Sequence, residues 1–162
     1  MDVPSHLALT PGAHPDANGT TFVALTTTAE RVEVRLFDDR QRPIRTFPLE
    51  RKDAMHFAGR LDGALEGTLY KFALDGDEIP DPYARFLPFG VHGPARVVAP
   101  RTEEPLASPP ALHRWSIYEL HVGTFSVEGT YRGVIERLDD LVELGVTAIE
   151  LMPVAAFNGE RG

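Results

Sequence analysis

Between residues 31 and 37 apolar and charged side chains alternate without a break: Val32, Val34 and Leu36 are separated by Glu33 and Arg35. A period of two sends successive side chains to opposite faces, so this stretch predicts a half-buried β-strand. Runs of similar length at 20–27, 44–49, 54–61 and 68–74 predict further strands. Polar or glycine-bearing turns separate them, at 38–43, 62–67 and 75–77, where glycine admits positive φ. Short strands at this spacing predict an immunoglobulin-like β-sandwich over residues 18–78, reaching about 98 with one connector strand. Residues 1–17 are expected to form a segment preceding it.

The pattern changes after Ile79. Pro80, Pro82, Pro88, Pro94, Pro100, Pro105, Pro109 and Pro110 break any regular repeat in residues 79–114. Proline fixes φ and forces its predecessor towards extended geometry, so this connector is expected to run irregularly. Its first half carries Tyr83, Phe86, Leu87, Phe89 and Val91, too apolar for a free tether, and is read as a collar packed between two domains. Arg85 and His92 within it are better explained by structural contacts than by substrate. Residues 102–110 have the composition of a linker.

A third pattern occupies residues 115–162. A β-rich run at 115–122 and another at 146–154 flank an amphipathic stretch from Thr130 to Leu144. Val134, Leu138, Leu141 and Val142 fall at i, i+4, i+7 and i+8, with Ile135 widening the stripe, as on one face of a helix. Thr130 is placed to cap its start and Gly145 to close it. The unit reads as strand–helix–strand with two parallel strands, a pattern that ordinarily belongs to a larger sheet covered on both faces. The expectation is that this is the opening of a larger catalytic domain.

Composition narrows the function. The chain has 162 residues, no cysteine and a formal charge of −8, which excludes disulfides and thiolate metal sites and disfavours a nucleic-acid polyanion as partner. No apolar run approaches membrane-spanning length and no signal-peptide pattern opens the chain, so neither membrane nor export is expected and a cytoplasmic location is the default. A neutral polysaccharide meets no such repulsion. No metal or other cofactor is expected.

Tyr118-Glu-Leu-His-Val-Gly-Thr-Phe125, Glu128-Gly-Thr-Tyr131, Gly145-Val-Thr-Ala-Ile-Glu-Leu-Met-Pro-Val154 and Phe157-Asn-Gly-Glu-Arg-Gly162 resemble the start of an α-amylase-superfamily barrel. Within that superfamily of glycoside hydrolases they look most like the maltooligosyltrehalose trehalohydrolase family. Pro80-Asp-Pro-Tyr-Ala-Arg-Phe-Leu-Pro-Phe-Gly-Val-His-Gly-Pro94 resembles the segment joining that family's β-domain to its barrel. The resemblance implies three parts in order: a sandwich related to glycogen-binding modules, the connector, and at 115–162 the first β-α-β unit of an (α/β)8 TIM barrel. It implies retaining hydrolysis of an α-1,4-glucosidic bond, with maltooligosyltrehalose or another α-glucan as substrate and trehalose as product. Branching or debranching enzymes, and a non-catalytic carbohydrate-binding or interaction module, are the alternatives.

The candidate chemistry is sparse. Retaining glycosidases hold two carboxyl groups about 5–5.5 Å apart, and Glu119 and Glu150 invite that reading. Both lie in strand bodies, whereas barrel catalysis occurs at the C-terminal strand ends, so they are read as buried carboxylates and not as catalysts. The family's aspartate nucleophile, glutamate acid/base and third aspartate match no position here, so no catalytic residue is assigned. His121 and Asn158, near the C-terminal ends of the two strands, are the candidates for hydrogen bonds to a sugar hydroxyl. In the sandwich, Phe22, Phe37, Phe47, Phe57, Tyr70 and Phe72 are expected to pack the core and not to stack on sugars.

Overall fold

Six of the seven residues of strand β2 (Gly19–Leu25) are buried, and the first half of the chain is arranged around it. The computed structural model describes residues 9–100 and 111–159. The chain divides into two compact units, residues 1–101 and 102–162. In the first, β1 (Gly12–Pro15), β2, β5 (Glu50–Arg51) and β6 (His56–Asp62) form one antiparallel sheet in the order β1-β2-β6-β5. The second sheet runs β4 (Pro43–Pro48), β3 (Val32–Phe37), β7 (Leu69–Leu74), β8 (Asp77–Ile79), and β9 (Ala95–Arg96) also pairs with β7.

The alternation at 32–36 does what it predicts. Val32, Val34 and Leu36 are buried while Glu33 and Arg35 stay partly exposed. Phe22 and Phe57 from one sheet meet Tyr70 and Phe72 from the other in a single core. The rings of Phe22 and Tyr70 lie edge to face with centroids 5.0 Å apart, and those of Tyr70 and Phe72 at 5.8 Å. Gly59 is small for a packing reason: a Cβ there would come within 2.8 Å of the Phe47 ring and 2.9 Å of Leu49. Of the six aromatic residues expected in the core, Phe22, Phe37, Phe57, Tyr70 and Phe72 are buried and Phe47 is half-buried against it.

One element departs from the sequence pattern. β1 lies inside the segment expected to precede the sandwich, since Gly12 to Pro15 pair with Val23 to Thr20 through backbone groups that carry no side-chain signature. β9, by contrast, is the connector strand expected to extend the sandwich to about residue 98, and Ala95 and, just after it, Val97 are fully buried in the core. The rest of 80–94 is irregular, as its prolines require. The linker expected at 102–110 lies outside the described residues, as do residues 1–8 and the Glu160 to Gly162 end of the last motif.

The second unit contains β10 (Ile117–Leu120) and β11 (Ala148–Leu151), paired in parallel with Ile117 opposite Ala148 and Leu120 opposite Leu151. Between them the expected single helix is interrupted. α1 (Val122–Phe125) is one turn, and α2 (Tyr131–Ile135) and α3 (Leu138–Glu143) are separated at Glu136 and Arg137. There the Arg137 N–H reaches back only three residues, to the Val134 carbonyl at 3.1 Å, and Arg137 adopts φ −112°, ψ 7°. This tighter turn interrupts the i to i−4 ladder. The apolar stripe is accordingly narrower than the spacing predicts: Val134 and Leu141 are buried with Leu120, but Ile135 and Val142 are exposed. Two strands offer a floor wide enough for one row of side chains only.

Phe72→Ala should lower the unfolding free energy of the sandwich by about 3–5 kcal/mol, because it empties the junction of the two sheets. Ile44→Ala, at an exposed position, should change it by less than about 0.5 kcal/mol. Urea unfolding followed by tyrosine and tryptophan fluorescence checks both.

Candidate functional site

Parallel pairing brings the C-terminal ends of β10 and β11 to one edge, where the chain leaves each strand. The Met152 N–H donates to the Leu120 carbonyl at 2.9 Å, holding the two exits together. His121 comes directly after β10. Its carbonyl accepts the N–H groups of Thr124 (3.1 Å) and Phe125 (3.0 Å), which starts α1, and its Nδ1 lies 3.3 Å from Thr124 Oγ1.

The chain then folds back. Gly129, at φ 60°, lies so near Gly123 that a Cβ would be 3.0 Å from the Gly123 carbonyl oxygen. Thr130 Oγ1 accepts the Gly133 N–H at 3.2 Å, capping α2 as its position in the sequence implies. Gly133 in turn lies over Ser126, where any Cβ would overlap the hydroxyl. These constraints set Tyr131, the first residue of α2, beside His121. A shallow cleft results, lined by His121, Gly123, Tyr131, Met152, Pro153 and Phe157 among others.

Of the two candidates from the sequence, His121 is half-buried on this lining, whereas Asn158 is exposed and is not on it. Phe157, one residue earlier, is on it. Tyr131 is not among the sequence candidates, although its place directly after a capping threonine is legible and marks where the helix begins. Among the described residues the lining holds no aspartate or glutamate. What the cleft offers is two half-exposed aromatic rings, an imidazole and backbone groups.

Glu119 and Glu150 are direct register partners on the parallel strands. The strand pattern predicts both as buried, and the structure corrects this: both are exposed, since no further layer covers their face of the two-stranded sheet. Arg137, on the neighbouring groove with Glu119, pairs with Asp140 at 3.0 Å. Among the described residues no group of three or more potential ligands could hold a metal ion, and no helix is long and apolar enough to cross a membrane.

The first unit has a polar centre of its own. Asp81 is 2% exposed, accepts the Tyr70 hydroxyl proton at 2.6 Å through Oδ2 and the Tyr83 N–H at 2.8 Å through Oδ1. Burial pushes its carboxyl above the ordinary value of 3.8, against the opposing pull of both hydrogen bonds, His14 and Arg85. Burial likewise raises the Tyr70 phenol, and the Asp81 charge adds to this. Arg85 makes the structural contact expected of it, donating from Nη1 to the Ala13 carbonyl at 2.8 Å. His92 is exposed. Residues 80–87 are thereby fastened to β1 and β7.

Residues 11–84 match the family of carbohydrate-binding module 48 (isoamylase N-terminal domain). The sandwich belongs to that family. Over almost its whole length the chain is similar to the N-terminal region of malto-oligosyltrehalose trehalohydrolases. It is 40% identical to the one from Saccharolobus solfataricus, over 94% of this chain and 27% of the relative. It is 42% identical to the one from Deinococcus radiodurans, over 91% of this chain and 24% of the relative. It thus spans about a quarter of these relatives.

The same likeness appears in solved structures. A Salmonella typhimurium protein described as an alpha amylase superimposes with a TM-score of 0.80 at 35% identity, over 94% of this chain and 26% of that one. Klebsiella pneumoniae pullulanase complexed with maltotriose gives 0.74 at 26% identity, over 91% and 18%. The fold therefore resembles the N-terminal part of α-amylase-family enzymes.

The raised Asp81 carboxyl has a definite consequence for stability. Folded and unfolded states are both protonated there at acid pH. As pH rises past the ordinary carboxylate value and through the raised folded one, the unfolded state gives up its proton more readily, so stability drains away. Asp16 and Asp38 act in the opposite sense. Hydrogen bonds from Arg60 and Arg42 hold their carboxyls below the usual range, so their contribution is present near neutrality and lost as pH falls. Asp81→Asn removes only the first effect. The Tm difference between Asp81→Asn and the parent should therefore shift in favour of the variant from pH 4 to pH 7. A constant difference would mean that Asp81 titrates alike in both states.

Proposed function

We propose that this chain supplies the module 48 domain and the first β-α-β unit of the (α/β)8 barrel of a retaining glycoside hydrolase. The enzyme cleaves the α-1,4-glucosidic bond beside a terminal trehalose and so releases trehalose from maltooligosyltrehalose. The observation that carries the reading is the cleft at the C-terminal ends of two parallel, in-register strands, the edge at which barrels of this architecture bind substrate. Identities of 40% and 42% to trehalohydrolases, extending through this unit, support the specificity. The maltotriose bound to the pullulanase neighbour supports an α-glucan as ligand.

In this reading the chain holds part of the sugar site and none of the bond-breaking groups. The half-exposed rings of Tyr131 and Phe157 bracket a glucose unit, and the His121 imidazole hydrogen-bonds a hydroxyl. Asn158, exposed beside the cleft, is the second candidate for such a bond. Glu119 and Glu150 stand opposite one another on neighbouring strands, which invites comparison with the paired carboxyl groups of a retaining enzyme. Their place in the strand bodies argues against that role. They instead face the interior that later strands of a barrel would enclose.

Two outcomes are expected. Pure chain incubated with maltooligosyltrehalose should release no trehalose above the buffer rate, measured by anion-exchange chromatography; measurable release would overturn the assignment of the cleft as non-catalytic. The open strands should also draw partners. Ile117, Ile149 and Leu151 are exposed beside unpaired outer strand edges, and such edges recruit other strands. Light scattering should show concentration-dependent association of the chain, absent when it ends at Pro100. Monomeric behaviour of both would show that β10 and β11 do not need the cover that a barrel provides.

A further inference from the structure

Both asparagines of the chain, Asn18 and Asn158, are followed by glycine, and both are exposed. Before glycine an asparagine is open to attack by its own backbone, because the next residue has no Cβ to obstruct the approach. Exposure does not separate the two pairs. The hold on the glycine nitrogen does.

At the first pair that nitrogen is engaged. The Gly19 N–H donates to Asp16 Oδ1 at 3.1 Å, and the Asn18 N–H donates to the same oxygen at 2.8 Å. The Asn18 carbonyl accepts the Gly63 N–H at 2.9 Å, and the Gly19 carbonyl accepts the Asp16 N–H at 2.8 Å. Gly19 is buried opposite Asp62 at the start of β2, where a Cβ would lie 2.5 Å from the Leu61 carbonyl oxygen. For its nitrogen to reach the Asn18 side chain, the hairpin joining β1 to β2 must first open.

The second pair has none of these holds. It follows β11 in an irregular, exposed segment. Among the described residues, neither the Asn158 amide nor the Gly159 N–H has a hydrogen-bond partner. Gly159 adopts φ 154°, and a Cβ there would meet only the Phe157 ring among the described residues, at 3.5 Å.

We infer that Asn158–Gly159 is a self-modification site, where Asn158 converts to aspartate and isoaspartate while Asn18 is protected by its turn. The Gly159 nitrogen gives its proton to a solvent base and attacks Asn158 Cγ. A C–N bond forms, closing a cyclic imide, and the Cγ–Nδ2 bond breaks as ammonia leaves with a proton from solvent. Water then adds at one of the two imide carbonyls. Breaking the Cγ–N bond leaves aspartate, and breaking the bond to the main-chain carbonyl leaves isoaspartate. Nothing is oxidised or reduced. Either product carries a new negative charge, and isoaspartate also lengthens the main chain by a methylene. Both changes fall beside Phe157, which lines the cleft after β10 and β11.

Incubation of the full chain at mildly alkaline pH, followed by peptide mapping with mass spectrometry, tests this. The peptide holding Asn158 should gain the mass of OH in place of NH2 and split into two products. Asn18 should react at least about tenfold more slowly, the opening of its turn being the added barrier. The Asp62–Gly63 and Asp75–Gly76 pairs can also yield isoaspartate, but without that mass change, so the map separates them. Gly159→Ala should slow conversion at Asn158 severalfold. In urea, where no turn survives, the two asparagines should react at similar rates. Equal rates in the folded chain, or faster loss of Asn18, would overturn the inference. So would conversion at Asn158 that Gly159→Ala leaves unchanged. An Asn18 that stayed slow in urea would overturn the role given to its turn.

Discussion

Tyr70 does two things that are hard to satisfy at once: it must bury a large ring between two sheets, and it must find a partner for a hydroxyl that water no longer reaches. Its ring meets Phe22 of one sheet and Phe72 of its own, and its hydroxyl donates to Asp81. That bond brings a carboxylate into the interior, where it remains costly unless fully engaged. The Tyr83 N–H and the Arg85 and His14 charges complete its surroundings. The core of the sandwich and the position of the segment after β8 are therefore one problem with one solution. The placement of that segment thus depends on a contact made at the centre of the sandwich.

The second unit has no equivalent centre. Leu120, Val134 and Leu141 form a small buried cluster, while Ile117, Ile135, Val142 and Leu144 remain exposed. A parallel pair of strands with helices on one side is half of a layered arrangement, and its open side carries both Glu119 and Glu150. The functional division rests on this. A cleft with aromatic rings and an imidazole can orient a sugar, but the transition state of glycoside hydrolysis develops charge that needs a nucleophile and a proton donor in an enclosed site. A trehalohydrolase-type enzyme would assemble those groups around the cleft from other strands.

Several features are legible along the chain because they are local. Alternation at Val32, Val34 and Leu36 specifies which face is buried, and it does so in the folded protein. Thr130 caps α2 as its place predicts, and the turn residues around 75–77 hold Asp75 at φ 51° and Gly76 at φ 106°. The motifs at 118–125 and 145–154 locate the β-α-β unit and its parallel strands. His121 is legible because it comes directly after a strand. Asn158 is a candidate on the same ground, yet it lies off the cleft lining, since the loop after β11 presents Phe157 and turns Asn158 outward to solvent.

By itself the sequence determined the β-sandwich, most of its core and the likeness to a carbohydrate-active family, since periodicity, capping and motif are properties of neighbouring residues. Only the tertiary structure decided that Gly12–Pro15 is a strand, because backbone pairing with β2 recruits it without regard to side chain. It also decided which aromatics remain at the surface. Phe72 and Phe86 are the same residue type, and each lies in an apolar stretch. One is sealed between sheets because β7 is a central strand, and the other is exposed because the segment bearing it is pinned by Asp81 and Arg96 along the outside of the fold. Burial is a relation between distant parts of the chain, and no local pattern contains it.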